Sequence, residues 1–284
     1  MTVDERALAF DCHGDRLVGI LSLPAQAQAQ AQARGVLVVV GGPQYRAGSH
    51  RQFTLLARDL AADGIPAMRF DYRGMGDSEG DMRDFEAIAA DLRAAVDAFV
   101  AAVPGLREVV LWGLCDGASA IAMHAAEDAR VAGMVLLNPW VRSEEGIARA
   151  TLKHYYRARL VDPAFWRKLL GGRFDVAGSV KSMLGLARAA RAGPDGAATT
   201  TAPFPMRMRA GLRAFSGPVL VITSGADLTA REFCDLAGAD REWKRLLAAP
   251  RVTRRELDKA DHTFSRRAWR DQVARWTAEW LRSW

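Results

Sequence analysis

Three side chains far apart in the sequence have the types needed for nucleophilic catalysis. Cys115 sits in Gly113-Leu114-Cys115-Asp116-Gly117, between the apolar run Val109 to Trp112 and an alanine-rich stretch. A strand, a sharp turn and a helix around G-x-C-x-G form a nucleophile elbow, with cysteine where many hydrolases carry serine. The glycines are needed because the central residue is strained and its neighbours leave no room for side chains. The following helix points its free N–H groups and positive end at the nucleophile, which favours a thiolate and a developing oxyanion. The competing reading of the same residues is a small buried thiol with no chemistry.

Order along the chain favours catalysis. Asp227 follows the apolar run Val219 to Ile222, and His262 lies in Asp258-Lys259-Ala260-Asp261-His262-Thr263-Phe264, ahead of the last helical stretch. Nucleophile, acid after a later strand, then a late histidine is the order of Ser…Asp…His hydrolases. Of the five histidines (His13, His50, His124, His154, His262), only His262 occupies that late position. Asp261 competes with Asp227 for the acid role, although adjacent residues in an extended loop seldom point the same way. An oxyanion needs two backbone donors. One is expected from the N–H of Asp116. The other is expected from the turn after the strand ending at Val40, where Pro43 has no N–H, so that Gly42 or Gln44 must supply it.

The elements that must hold these residues alternate. Residues 6–23, with the turn His13-Gly14-Asp15, read as an N-terminal β-hairpin. The Ala-Gln repeat from Ala25 to Ala33 reads as a slack surface loop. Strands are expected at 36–40, 66–72, 109–112, 131–137, 218–223 and 252–257. Helices are expected at 53–62, 85–100, 118–129 and 265–284, and Trp269, Val273, Trp276, Trp280 and Leu281 form the apolar face of the last one. Short buried strands separated by amphipathic helices imply a mostly parallel sheet covered on both faces. The alternation lapses between Pro139 and Phe215, which shows helical patches at 146–160, 164–170 and 180–192 and a loose stretch at 194–205. Residues 140–215 therefore read as a helical cap inserted into a core of residues 1–139 and 216–284.

The net charge of +6 is unevenly spread. Val141 to Gly217 contains eleven Arg and three Lys against five acids, leaving the remainder of the chain net acidic. Such a segment attracts anions. It has no nucleic-acid-binding motif and little aromatic interleaving, so nucleic acid is not expected. No run of about 18 uncharged apolar residues predicts a membrane span, and the charged N-terminus does not read as a secretory leader. Three scattered cysteines, Cys12, Cys115 and Cys234, fit neither a disulfide framework nor a zinc site, so a reducing cytoplasm is the expected setting. No cofactor and no metal are expected.

The chain resembles the α/β-hydrolase superfamily over nearly its whole length. Asp71-Tyr72-Arg73-Gly74-Met75-Gly76-Asp77-Ser78 matches the D-x-R-G-x-G-x-S stretch that follows an early strand in that fold, and its expected role is architectural. More narrowly, residues 39–52 together with Trp112 to Gly117 resemble the exosortase A system-associated hydrolases, bacterial proteins encoded near exopolysaccharide and acyl-activation genes. That resemblance implies a hydrolase without naming a substrate. Gly41-Gly42-Pro43 is similar to the H-G-G-P loop of proline iminopeptidases, with Val40 in place of the histidine. Dienelactone hydrolases carry an active cysteine at this elbow, so cysteine does not imply a dead enzyme.

These readings point to an acyl hydrolase or acyltransferase with a Cys115–His262–Asp227 triad. A thiol ionises far more readily than a hydroxyl, and its acyl-enzyme is a thioester, suited to transfer as well as hydrolysis. The Asp116 side chain works against a thiolate if it lies close. Substrate contacts are expected from His50, Arg46, Trp140 and Arg157, with helix initiation the competing role for His50. Arg157, Arg159, Arg167 and Arg173 suggest an acyl group carried on coenzyme A or an acyl carrier protein. The alternatives are an amidase or C–C bond hydrolase on the same frame, and a non-catalytic binding protein.

Overall fold

A computed structural model describes residues 3–25, 33–42, 44–141 and 202–284. Eight strands form one sheet: β1 (Asp4–Cys12), β2 (Asp15–Leu23), β3 (Arg34–Val39), β4 (Ala67–Asp71), β5 (Glu108–Leu114), β6 (Val131–Leu137), β7 (Val219–Ser224) and β8 (Val252–Leu257). Their order is β1-β2-β4-β3-β5-β6-β7-β8. β1, β2 and β4 pair antiparallel, and every pairing from β4 through β8 is parallel. This is the α/β-hydrolase fold. The β1–β2 hairpin closes through His13 and Gly14, both at positive φ, as a tight hairpin turn requires.

Alternating side chains explain the two cores. Leu37, Val39, Leu111, Met134, Leu136, Val219 and Val221 face one way. There they meet α2 (Ala89–Ala102), α3 (Asp116–His124), α4 (Phe204–Ala214), α5 (Leu228–Ala239) and α6 (Arg241–Leu247). Val36, Val38, Val110, Trp112, Val135, Leu137, Leu220 and Ile222 face the other, against α1 (Gln52–Ala62) and α7 (Arg267–Leu281). Along α7, Val273, Trp280 and Leu281 are buried and Trp269 and Trp276 pack partly against the same core, as their spacing predicts.

The chain divides into two compact units, Met1–Val141 with Pro203–Trp284, and Arg142–Ala202. The C-terminal limit expected for the insertion therefore moves. Helix α4 falls within the expected 140–215 segment, yet Met208 and Leu212 are fully buried in the core and α4 packs on α3. The helical patches expected at 146–160, 164–170 and 180–192 lie outside the described residues, as do Arg157, Arg159, Arg167 and Arg173 and most of the Ala-Gln tract. Among the described residues no helix is long and apolar enough to cross a membrane.

Candidate active site

Cys115 lies between β5 and α3 with φ 61° and ψ −127°, a backbone conformation rare for any residue except glycine. The turn is held by its neighbours. Cys115 N–H donates to Leu137 O at 2.9 Å, and Cys115 O accepts from Trp140 N–H at 3.2 Å and Ser119 N–H at 3.2 Å. A β-carbon on Gly117 would stand 2.6 Å from Val39 O, and one on Gly113 2.7 Å from the Gly117 carbonyl carbon. Both glycines are therefore dictated by close packing, and the strained elbow is a property of the whole β3–β5–α3 junction.

Asp227 follows β7 and caps α5. Its Oδ1 accepts from Thr229 N–H at 3.2 Å and its Oδ2 from Ala230 N–H at 3.0 Å. The same Oδ2 lies 2.8 Å from His262 Nδ1. Burial pushes this carboxyl up, but the His262 ring and the two helix amides outweigh it and hold it below its usual range. His262 is raised from 6.5 to about 10, first by its hydrogen bond to Asp227 and then by Cys115 beside it. Sulfur, imidazole and carboxylate thus meet from three loops at the carboxyl ends of β5, β7 and β8. That is the location at which open α/β sheets bind their ligands.

The competitor for the acid role is committed elsewhere. Asp261 accepts from Ser265 N–H at 2.9 Å and from the Ser265 hydroxyl, and so pins the start of the segment leading to α7. Of the two expected second oxyanion donors, Gln44 is excluded in this conformation. Its N–H donates to Gly42 O at 2.8 Å, and its side chain accepts from Ser49 N–H at 3.2 Å. Gly42 stays available, and its turn lies beside the elbow: a β-carbon on Gly42 would stand 4.0 Å from each oxygen of the Asp116 carboxylate, whose Oδ1 accepts from Gly117 N–H at 3.1 Å.

Arg46 is engaged within the protein. Its guanidinium pairs with the buried Asp71 and reaches Asp77 at 2.6 Å, and its side chain is only 15% exposed. It locks the loop after β3 to the loop after β4. Within that second loop, Arg73 and the fully buried Asp91 form two parallel hydrogen bonds of 2.9 Å each, and the Ser78 hydroxyl donates to Asp71 O at 2.6 Å. The D-x-R-G-x-G-x-S stretch is thus architectural. His50 is exposed at positive φ near the start of α1. Trp140 is half-buried, and its backbone O accepts from Ser119 Oγ at 2.6 Å, stitching it to the elbow.

One residue at the site escaped the sequence reading. Asn138 is fully buried with φ 41° at the end of β6. Its Nδ2 donates to Ser224 Oγ at 2.6 Å and to His262 O at 3.0 Å, and its Oδ1 accepts from Ser224 N–H at 2.9 Å. It ties the β7 terminus to the backbone of the histidine. The available signal was a polar residue directly after an apolar strand and before Pro139.

Comparison with known proteins bears on the family and the fold. A family profile described as serine aminopeptidase, S33, matches residues 31–180. Among curated proteins no sequence matches. The esterase Pf2001 of Pyrococcus furiosus superposes with a TM-score of 0.65 at 15% identity, covering 99% of this chain and 93% of its own. Est1E from Butyrivibrio proteoclasticus, solved with ferulic acid bound, gives 0.64 at 16% identity, covering 97% and 98%. A dienelactone hydrolase from Anabaena variabilis gives 0.60 at 16% identity, covering 100% and 99%. At these identities the solved structures establish a shared fold.

Proposed function

The chain belongs to the serine aminopeptidase S33 family of α/β-hydrolases, and from that premise we propose an acyl hydrolase, of esterase or thioesterase type, in which Cys115 is the nucleophile. The observation that carries this reading is the 2.8 Å bond from His262 Nδ1 to Asp227 Oδ2 with Cys115 beside the same ring. A binding scaffold needs neither a buried acid held ionised nor a strained thiol facing an imidazole.

The chemistry follows from the arrangement. The Cys115 sulfur attacks the acyl carbonyl. If it starts as a thiol its proton passes to His262, and if it starts as a thiolate the ring already holds that proton. The new oxyanion meets the N–H groups of Asp116 and Gly42. His262 then protonates the departing alkoxide or thiolate, the carbon–leaving-group bond breaks, and a thioester joins the acyl group to Cys115. In the second half His262 takes a proton from water, hydroxide adds to the thioester, and collapse returns the acid and the free cysteine. Asp227 fixes the ring with Nδ1 inward and favours its charged form, leaving Nε2 for the reacting groups. Replacing water by a second thiol turns hydrolysis into transfer, and exchange between thioesters is nearly balanced in energy, whereas hydrolysis runs downhill.

The arginine-rich composition of residues 141–217 supports an anionic acyl carrier such as coenzyme A or an acyl carrier protein. The test compares a neutral aryl ester with the matching acyl-CoA at low and high salt, alongside iodoacetamide labelling. A salt-sensitive preference for the CoA ester supports the carrier. Fast labelling of Cys115 that is lost in His262→Ala supports the pair. No preference at either salt level rejects the carrier, and labelling indifferent to His262 rejects the pair.

A further inference from the structure

Cys115 follows β5 and His262 follows β8, and β6 and β7 lie between those strands in the sheet. The placing of sulfur against ring therefore depends on what spans the carboxyl ends of the intervening strands. Residues 137–140 do so. Leu137 O accepts from Cys115 N–H at 2.9 Å, and Trp140 N–H donates to Cys115 O at 3.2 Å. Asn138 N–H donates to Ile222 O at 3.0 Å in β7. The Asn138 side chain makes two bonds to Ser224 and a third, at 3.0 Å, to His262 O. One four-residue strap is thus bonded to the nucleophile, to the strand that ends ahead of Asp227 and to the backbone of the base. It is stiff, because Asn138 turns the chain at φ 41° and the Pro139 ring fixes the next φ.

The far end of the strap is held by a side chain that the steps above do not use. Ser119 is fully buried in the first turn of α3. A serine inside a helix ordinarily gives its hydroxyl proton to the carbonyl four residues back, which here is Cys115 O. That oxygen is 3.3 Å from Ser119 Oγ and already accepts the N–H groups of Ser119 and Trp140, whereas Trp140 O lies at 2.6 Å. A hydroxyl has one proton to give, and the shorter contact takes it. Ser119 therefore fastens to α3 the same residue whose N–H holds the nucleophile's carbonyl. A non-glycine residue in the backbone conformation of Cys115 persists only where its surroundings over-determine it. We infer that Ser119 is a positioning residue: by clamping Trp140 to α3 it closes the strap of residues 137–140 and keeps the Cys115 sulfur facing the His262 ring. The inference rests on the acyl-enzyme reading above.

The test is Ser119→Ala, which deletes one oxygen atom from the interior. For a neutral aryl ester, kcat falls about threefold to tenfold, the worth of one neutral hydrogen bond, and KM stays within about twofold. Two further readouts follow the sulfur and the ring without turnover. Iodoacetamide labels Cys115 more slowly by the same factor, while the exposed Cys234 labels at its wild-type rate. The NMR titration midpoint of His262, which Cys115 helps Asp227 raise to about 10, falls, because Asp227 keeps its bond while the sulfur no longer stays beside the ring. A serine that only packs lowers Tm and moves none of the three. Unchanged kcat overturns the inference, and so does a loss of kcat with Cys115 labelling and the His262 midpoint unmoved. The two anchors also release one strap, so the double variant Ser119→Ala with Asn138→Ala loses less kcat than the product of the single losses; losses that multiply overturn the inference. If the wild type neither turns over an ester nor labels at Cys115, the catalytic reading fails, and the His262 midpoint still decides whether Ser119 sets the pair.

Discussion

Replacing Asp227 with Asn keeps a side chain that can cap α5 and removes the charge that raises His262. The imidazole rises from 6.5 to about 10, with the Asp227 hydrogen bond as the leading cause and Cys115 next. At about 1.36 kcal/mol per pH unit, that rise corresponds to roughly 5 kcal/mol of preference for imidazolium. The ring is 33% exposed, so solvent screening reduces this to about 2–3 kcal/mol. The sign is fixed by the direction of the shift. The imidazolium's contribution to stability is complete below pH 6.5 and is lost as pH rises through about 10. Asp227→Asn therefore narrows that window from its upper end. The matching loss in kcat/KM for an aryl ester is about 30- to 150-fold, smaller than the roughly 10⁴ seen for the analogous change with a serine nucleophile, because a thiol depends less on its base. The assay is kcat/KM from pH 5 to 10 together with NMR titration of the His262 ring. A ring still titrating near 10 in the variant, with kcat/KM within threefold of wild type, refutes the assignment of Asp227.

Other substitutions separate architecture from chemistry. Arg46→Ala should lower Tm through loss of its ties to Asp71 and Asp77 while leaving KM unchanged; a KM that rises with Tm unmoved restores Arg46 to substrate binding. Asp91→Asn leaves the buried Arg73 without its counter-charge and should destabilise by about 3–5 kcal/mol in urea unfolding. Asn138→Ala removes three hydrogen bonds at a buried position. It should cost about 2–4 kcal/mol and lower kcat as well, because one bond anchors His262; intact kcat shows that anchor to be idle.

Most of the frame was legible because it follows from periodicity. Continuous apolar runs became buried parallel strands, and the tryptophan spacing of the last helix gave its core face. The elbow was legible because Gly113 and Gly117 answer to contacts with the adjoining backbone. Helix α4 belongs to the core although it lies inside the expected insertion, because no strand pattern marks the return of the core before Pro218. Met208 and Leu212, four apart, were the available clue. The ion pairs of Arg46 were illegible for a different reason. An arginine after a strand looks available for an anion, and its partner Asp71 lies 25 residues on, brought near only by the pairing of β3 with β4. The direction of the Asp116 carboxylate was illegible for the same reason, since it depends on how the loop carrying Gly41 and Gly42 crosses the elbow. Asp261 against Asp227 was undecidable from order alone; in the structure Asp227 bonds the His262 ring while Asp261 bonds Ser265.

The most direct measurement is intact-mass spectrometry of acid-quenched protein after brief exposure to a panel of acyl thioesters. The account predicts a mass increase equal to the acyl group, mapped to the peptide containing Cys115 and absent from Cys115→Ala. Product formation by Cys115→Ala at the wild-type rate, or an acyl group mapped to a different side chain, contradicts it.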